Sequence, residues 1–269
     1  MNLASILGHQ WAISPAGAKA AAEAIKRIAA IQVPKQMDRR PKEDWYGQPI
    51  EQARNQNGVH IVPMKGIMLN NAEPIYKLFG YISHQDVAED LKAAANAGAK
   101  LIVLDVDSPG GSATGTPELA DLVKQLSGEV SLIVFCSNVM CSAAMYSAAG
   151  STQIYATGSA IIGCIGTVME HLDATQFFAD MGIEFQQFKS GTYKGMGHEG
   201  IPLTEVQKEF LQDFVDQSAE KFKDFMLLNR PKISADDMEG QFFSGDNAKQ
   251  KGFIDDILPG IDGAIARFR

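Results

Sequence analysis

The sequence predicts an α/β fold, a mainly parallel sheet covered by helices, on three observations. Short β-branched runs alternate with Ala-rich helical periods from residue 59 onward. The loops between them are short. The helical stretches supply the long crossovers that parallel strands need. In order, the pattern predicts a strand run VHIVPMKGIM (59–68), a helix over 83–97, a strand LIVLDV (101–106), a helix over 117–126 and a strand LIVFC (132–136). Further strands are expected at QIYAT (153–157), AIIGCIGTVME (160–170) and GIEFQQFKS (182–190). A long amphipathic helix over 204–228 and a terminal strand FIDDIL (253–258) complete the series. In such a sheet, functional loops lie at the carboxyl ends of the strands.

The expected organisation is an N-terminal helical extension and polar linker (1–57), a core (58–258) and a C-terminal tail (259–269). Ser14 and Pro15 read as the cap and first turn of an Ala-rich helix running to about residue 31. Residues 33–57 are charged and turn-rich, with little to bury.

At 269 residues, with 45% hydrophobic and 21% charged residues, the chain can bury a substantial core. A net charge of −8, without segregation of basic residues, argues against a nucleic-acid partner. Cys136, Cys141 and Cys164 are an odd set in apolar surroundings without metal spacing, so neither a disulfide framework, a metal nor another cofactor is expected. No basic start with a long apolar run opens the chain, and no eighteen-residue apolar run interrupts it, so neither a signal peptide nor a membrane span is expected. The expected compartment is cytoplasmic.

Three segments carry chemistry. In LIVLDVDSPGGSATG, Gly110 and Gly111 follow a strand end and could turn backbone N–H groups toward a substrate as an oxyanion hole, although Pro-Gly-Gly is also ordinary turn chemistry. In SLIVFCSNVMCSAAMYSAAG, Ser142 leads a run of small residues after a strand. A serine there is either a helix N-cap or a nucleophile, with the Ala143 amide as a second oxyanion donor. The small neighbours suit a substrate with Ala or another small apolar residue before the cleaved bond. A serine hydroxyl needs a base. Of the five histidines, His9, His60 and His84 are poorly placed, and His171 and His198 follow the serine, His171 being the better rival base. In FKSGTYKGMGHEG, Lys194 lies in a glycine-rich loop. A lysine acts as base only when neutral, which requires a dry site, because its ordinary pKa is about 10.4.

Taken together the chain resembles the signal peptide peptidase A family of serine peptidases, and within it the prohead proteases of tailed bacteriophages. The resemblance spans about 59–258. It rests on D-S-P-G-G at 107–111, N-V-M-C-S-A at 138–143, G-C-I-G at 163–166, G-I-E-F-Q-Q-F-K-S-G-T-Y-K at 182–194 and F-S-G-D-N-A-K-Q-K-G-F-I-D at 243–255. The 52 residues between Ser142 and Lys194 match the family's spacing from nucleophile to base. The resemblance implies a Clp protease and crotonase type of fold, a spiral of β-β-α units. It also implies a Ser/Lys dyad of Ser142 and Lys194, and a homo-oligomer in which the lysine reaches a neighbouring protomer's serine. Peptide or protein substrates follow, scaffold, portal or capsid proteins among them, with action inside the prohead or in the host cytoplasm. A bacterial peptidase of the same family that degrades peptides is the alternative.

One position departs from the family. Relatives commonly carry a serine where Cys164 stands, with its hydroxyl bonded to the lysine, and a thiol is the weaker partner. Cys164 itself, Ser190 or Thr192 is then expected to orient Lys194. Three rival readings remain: Cys164 as nucleophile, a crotonase-like acyl-CoA enzyme, and a non-catalytic capsid-assembly subunit of the same fold.

Overall fold

The computed structural model describes residues 11–13 and 54–268. The expected helix over 14–31, and the linker as far as residue 53, lie outside the described residues. The strands are β1 (Trp11–Ile13), β2 (Arg54–Gln56), β3 (Val59–Lys65), β4 (Ile67–Leu69), β5 (Tyr81–Ser83), β6 (Leu101–Ser108), β7 (Gly110–Ser112), β8 (Ser131–Cys141), β9 (Gln153–Ala156), β10 (Ile161–Gly163), β11 (Phe242–Ser244) and β12 (Asp256–Ile257). The helices are α1 (Pro74–Lys77), α2 (His84–Asn96), α3 (Thr116–Glu129), α4 (Ala143–Ala148), α5 (Thr175–Asp180), α6 (Glu205–Asn229), α7 (Gly245–Gln250) and α8 (Ile261–Ala266).

The larger sheet runs β11-β10-β8-β6-β3-β2, with β9 also paired to β8 and β12 to β9. All its pairings are parallel except β2 with β3 and β10 with β11. A smaller sheet, β1-β7-β4-β5, stands beside it. The chain steps from large sheet to small sheet to helix twice, as β3-β4 leading to α2 and β6-β7-α3, which is the expected β-β-α succession. Glycine makes each step possible. Gly66, between β3 and β4, has φ 112°, and a Cβ there would meet the Gly80 carbonyl oxygen at 2.0 Å. Gly110, which starts β7, has φ 98°.

The central strands read as nearly continuous apolar runs because both faces are covered. Successive side chains point to opposite faces. Val62, Met64, Ile102, Leu104, Leu132 and Val134 therefore pack in the main core, on the side of α2, α3, α4 and the C-terminal part of α6. Ile61, Val103, Ile133 and Phe135 face the other way, onto Tyr155, Leu258 and Ala264. Ala264 belongs to α8, so a helix packs on the core beyond the expected boundary at 258. Similarly, β2 pairs with β3 ahead of the boundary at 58.

Three expected strands need correction. GIEFQQFKS forms none: residues 183–189 are irregular and almost wholly exposed, with no strand partner among the described residues to take their N–H and C=O groups. AIIGCIGTVME is a strand only at β10, because Gly163, Cys164 and Gly166 all take positive φ and turn the chain out of the sheet. FIDDIL pairs only at Asp256 and Ile257. The long helix is present as expected, and Thr204 and Gln207 close a capping box at its start.

Candidate active site

Ser142 stands where β8 gives way to α4. The preceding strand is held by Asp107 on β6, whose carboxylate accepts from Asn138 Nδ2 at 2.8 Å and from the Val139 N–H at 3.2 Å. Sequence reading passed over this role, although Asp107 opens the D-S-P-G-G motif. Ser142 has φ 54° and ψ −124°, a backbone conformation a non-glycine residue adopts only when its surroundings impose it. Its N–H donates to the Gly163 carbonyl at 2.8 Å, and its own carbonyl accepts the Tyr146 N–H at 2.9 Å. The side chain is 1% exposed, and Oγ has no hydrogen-bond partner among the described residues. A buried hydroxyl left so costs about 1–3 kcal/mol, which marks it for something other than stability.

The hydroxyl borders a cavity of about 400 Å³. Cys164, Gly166 and Thr167 form one side, Gln212, Val215, Asp216 and Ala219 on α6 another, and Met238 to Gly240 a third. No residue lining it is basic. Cys164 also has positive φ, 55°, and its N–H donates to the Gln241 carbonyl at 2.6 Å. Burial pushes its thiol pKa up, and does the same more strongly at Cys136 and Cys141. All three cysteines are free thiols. With its thiol held protonated and no basic residue among those lining its cavity, Cys164 is poorly prepared as a nucleophile.

Gly111 is wedged against β4, and a Cβ there would lie 2.0 Å from the Met68 carbonyl oxygen. Gly110 cannot offer its amide freely, since that N–H donates to Ser108 Oγ at 3.1 Å. Ser108 Oγ in turn donates to the Gly66 carbonyl at 2.6 Å, which locks the crossing from β6 to β7. Ala143 is fully buried at the first position of α4.

Lys194 is exposed, in a turn over 192–197, and does not line the serine cavity. Ser190 and Thr192 are exposed beside it. The turn is tied to the start of α6, where Gln207 Nε2 donates to the Thr192 carbonyl at 2.6 Å and Tyr193 packs on Phe210 with ring centroids 4.7 Å apart. From Gln207 to Gln212, the first residue of α6 that lines the serine cavity, the helix advances about 7.5 Å at 1.5 Å per residue. Within one chain the structure thus brings Ser142 and Cys164 together and leaves Lys194, Ser190 and Thr192 outside. His171 borders a separate cavity of about 510 Å³ with Met169, Met196, Phe210 and Phe214, and shares no lining residue with the serine cavity. His198 Nδ1 accepts the Gly200 N–H at 3.1 Å.

A strained serine between a buried parallel strand and a short helix, inside a β-β-α framework, defines an α/β protein built around one poised hydroxyl. The sequence profile described as peptidase family S49 matches residues 124–269, more than half of the chain, and the chain belongs to that family. It is 25% identical over 218 residues to the head-tail preconnector protein GP5 of Enterobacteria phage P21, covering 80% of this chain and 43% of that protein. It is also 25% identical over 211 residues to the capsid assembly protease C of Escherichia phage lambda, covering 77% and 48%. The chain spans about half the length of these curated relatives. Among solved structures, a ClpP1 variant from Listeria monocytogenes superposes with a TM-score of 0.46 at 13% identity, covering 67% of this chain and 86% of that one. Among the described residues, no helix is long and apolar enough to cross a membrane.

Proposed function

We propose that this chain is a serine endopeptidase in which Ser142 is acylated and Lys194, delivered by a neighbouring copy, is the base. The observation that carries the reading is the buried, unpartnered Ser142 hydroxyl in a left-handed backbone, facing a cavity with no basic wall. A base has to come from elsewhere. The exposed turn of Lys194 adjoins apolar surface: Tyr193 packs on Phe210, and Met196 and Gly197 line a cavity with Leu172, Phe210 and Phe214. Such a patch suits burial against a second copy, and that burial would supply the dry setting in which an amine loses its proton. Cys164, Ser190 and Thr192 are then the groups that could orient it.

In this mechanism the neutral Lys194 amine takes the Ser142 proton as Oγ attacks the scissile carbonyl. The Gly111 and Ala143 amides hold the oxyanion, and the protonated amine gives its proton to the leaving amine. Water, deprotonated by the same amine, then releases the acyl group. Gly110 serves by shaping the turn. The names of the phage relatives support capsid maturation as the setting, with scaffold, portal or capsid proteins as substrates, in the prohead or the host cytoplasm. Ser142→Ala and Lys194→Ala should each lower peptide cleavage by about a thousandfold or more, without moving the melting temperature by more than a few degrees. Full activity in either variant rejects the assignment.

A further inference from the structure

Strand β7 would be a free edge but for three residues. On one side it pairs with β4, Gly111 standing opposite Met68; on the other its partner is β1. There the pairing is antiparallel, with Trp11 opposite Ser112, Ala12 opposite Gly111 and Ile13 opposite Gly110. The strand itself adjoins the serine. Ser108 and Met140 are paired across β6 and β8, and two residues beyond each lie Gly110 and Ser142. Helix α4, which Ser142 heads, packs against β7.

We infer that residues 11–13 of this chain are the resident occupant of the outer edge of β7, the edge along which an extended peptide would otherwise pair. A strand edge offers a row of N–H and C=O groups, and an extended peptide pairs with it through main-chain bonds that make little demand on sequence. The polarity fits a substrate. Because β1 runs antiparallel to β7, its carboxyl end lies at Gly110, the end of β7 next to Ser142, and a peptidase cuts on the carboxyl side of the residues it has paired. Naming the displaced competitor as substrate rests on the peptidase reading above; the docking itself does not. The segment reaches the edge from its own chain, so its effective concentration is about a millimolar. Even a pairing with a dissociation constant of about 0.1 mM then fills the edge about nine-tenths of the time, and an outside peptide binds about tenfold more weakly.

The test uses the full chain carrying Ser142→Ala, so that nothing is hydrolysed. Its probe is a fluorescein-labelled synthetic peptide of residues 8–16, GHQWAISPA, followed by anisotropy. Adding Ala12→Pro together with Ile13→Pro removes a ladder N–H whichever residue of the pair donates. The peptide should bind the added-proline variant about tenfold more tightly than Ser142→Ala alone. Equal affinity overturns residence of the segment, and no binding to either overturns peptide pairing at the edge. Hydrogen exchange gives a second readout, with whichever of the Gly111 and Ser112 amides faces β1 exchanging about tenfold faster once the prolines are present; unchanged protection at both overturns the proposal. If Ser142→Ala and Lys194→Ala retained activity while the tenfold difference held, the peptidase assignment would fail and the docking would stand.

Discussion

Strain in this molecule is concentrated at the candidate site. Asn57, Ser142 and Cys164 are the described non-glycine residues with positive φ, and two of them line one cavity. Their backbones are held by the Gly163 and Gln241 carbonyls, so the conformation is imposed by the β10 and β11 segments rather than chosen locally. His84 is a second residue whose setting is imposed. It is 3% exposed, with Nε2 3.1 Å from Thr116 Oγ1. Thr116 Oγ1 donates to the Ser112 carbonyl at 2.8 Å, so its single proton is used there and the histidine is the donor in the other contact. Burial lowers the His84 pKa from 6.5 to about 4. Between those values the unfolded chain binds the proton and the folded chain does not. Stability from this residue is therefore complete above pH 6.5 and is lost as pH falls toward 4. The loss amounts to about 3 kcal/mol. The unfolding free energy from urea titrations should fall between pH 7 and 4.5 by about 2 kcal/mol more for the wild type than for His84→Gln, and parallel curves would show that His84 does not carry the effect.

At the scale of elements, the wall of the serine cavity depends on where α6 is anchored. Arg230, at its C-terminus, donates from Nε to the Ala149 carbonyl at 3.1 Å and from Nη2 to the Ser151 carbonyl at 2.9 Å, and pairs with Asp255 at 2.8 Å. These bonds fasten the helix to the chain just after α4, and so to Ser142. Asp255 is 40% exposed, so the ion pair itself contributes little; the two buried carbonyls matter more. Arg230→Met should lower the unfolding free energy by about 3 kcal/mol, read as a lower urea midpoint at unchanged slope. A loss under about 0.5 kcal/mol would mean that water replaces the guanidinium. Elements also show where periodicity informs and where it does not. LIVLDV and LIVFC are legible because burial on both faces selects apolar residues at every position. GIEFQQFKS has strand composition but no partner in its own chain, and composition does not reveal a missing partner. β11 spans three residues, too few to show any period.

For the whole molecule, the exposed apolar surface around Leu172, Phe210 and Phe214 and the exposed Lys194 belong to one question: what covers them. If a second copy does, the base of each site comes from a neighbour. Ser142→Ala and Lys194→Ala chains co-expressed and assembled together should then recover activity that neither has alone. With random mixing in a closed ring, about a quarter of the contacts pair an intact Ser142 with an intact Lys194, so recovery to about a quarter of wild type is expected. A mixture as inactive as its parts would place the lysine in its own chain. Much of the site was legible in sequence. Ser142, Cys164 and the double glycine are nominated by their motifs and meet around β6, β7, β8 and β10. Asp107, Gly163 and Gln241, which hold them, were not foreseen, because their roles are hydrogen bonds between segments distant in the chain.

The sequence by itself determined the alternation of strand and helix and the strands that lie at the centre, and it nominated Ser142 and Lys194 as the proposed nucleophile and base. Those properties follow from side-chain period and chemical type, which neighbours along the chain already express. The tertiary structure alone decided that the serine hydroxyl is buried without a partner, that the lysine stands outside its cavity, and that residues 11–13 lie along the β7 edge. Each of these is a relation between segments tens of residues apart, brought about by sheet pairing and packing rather than by local preference.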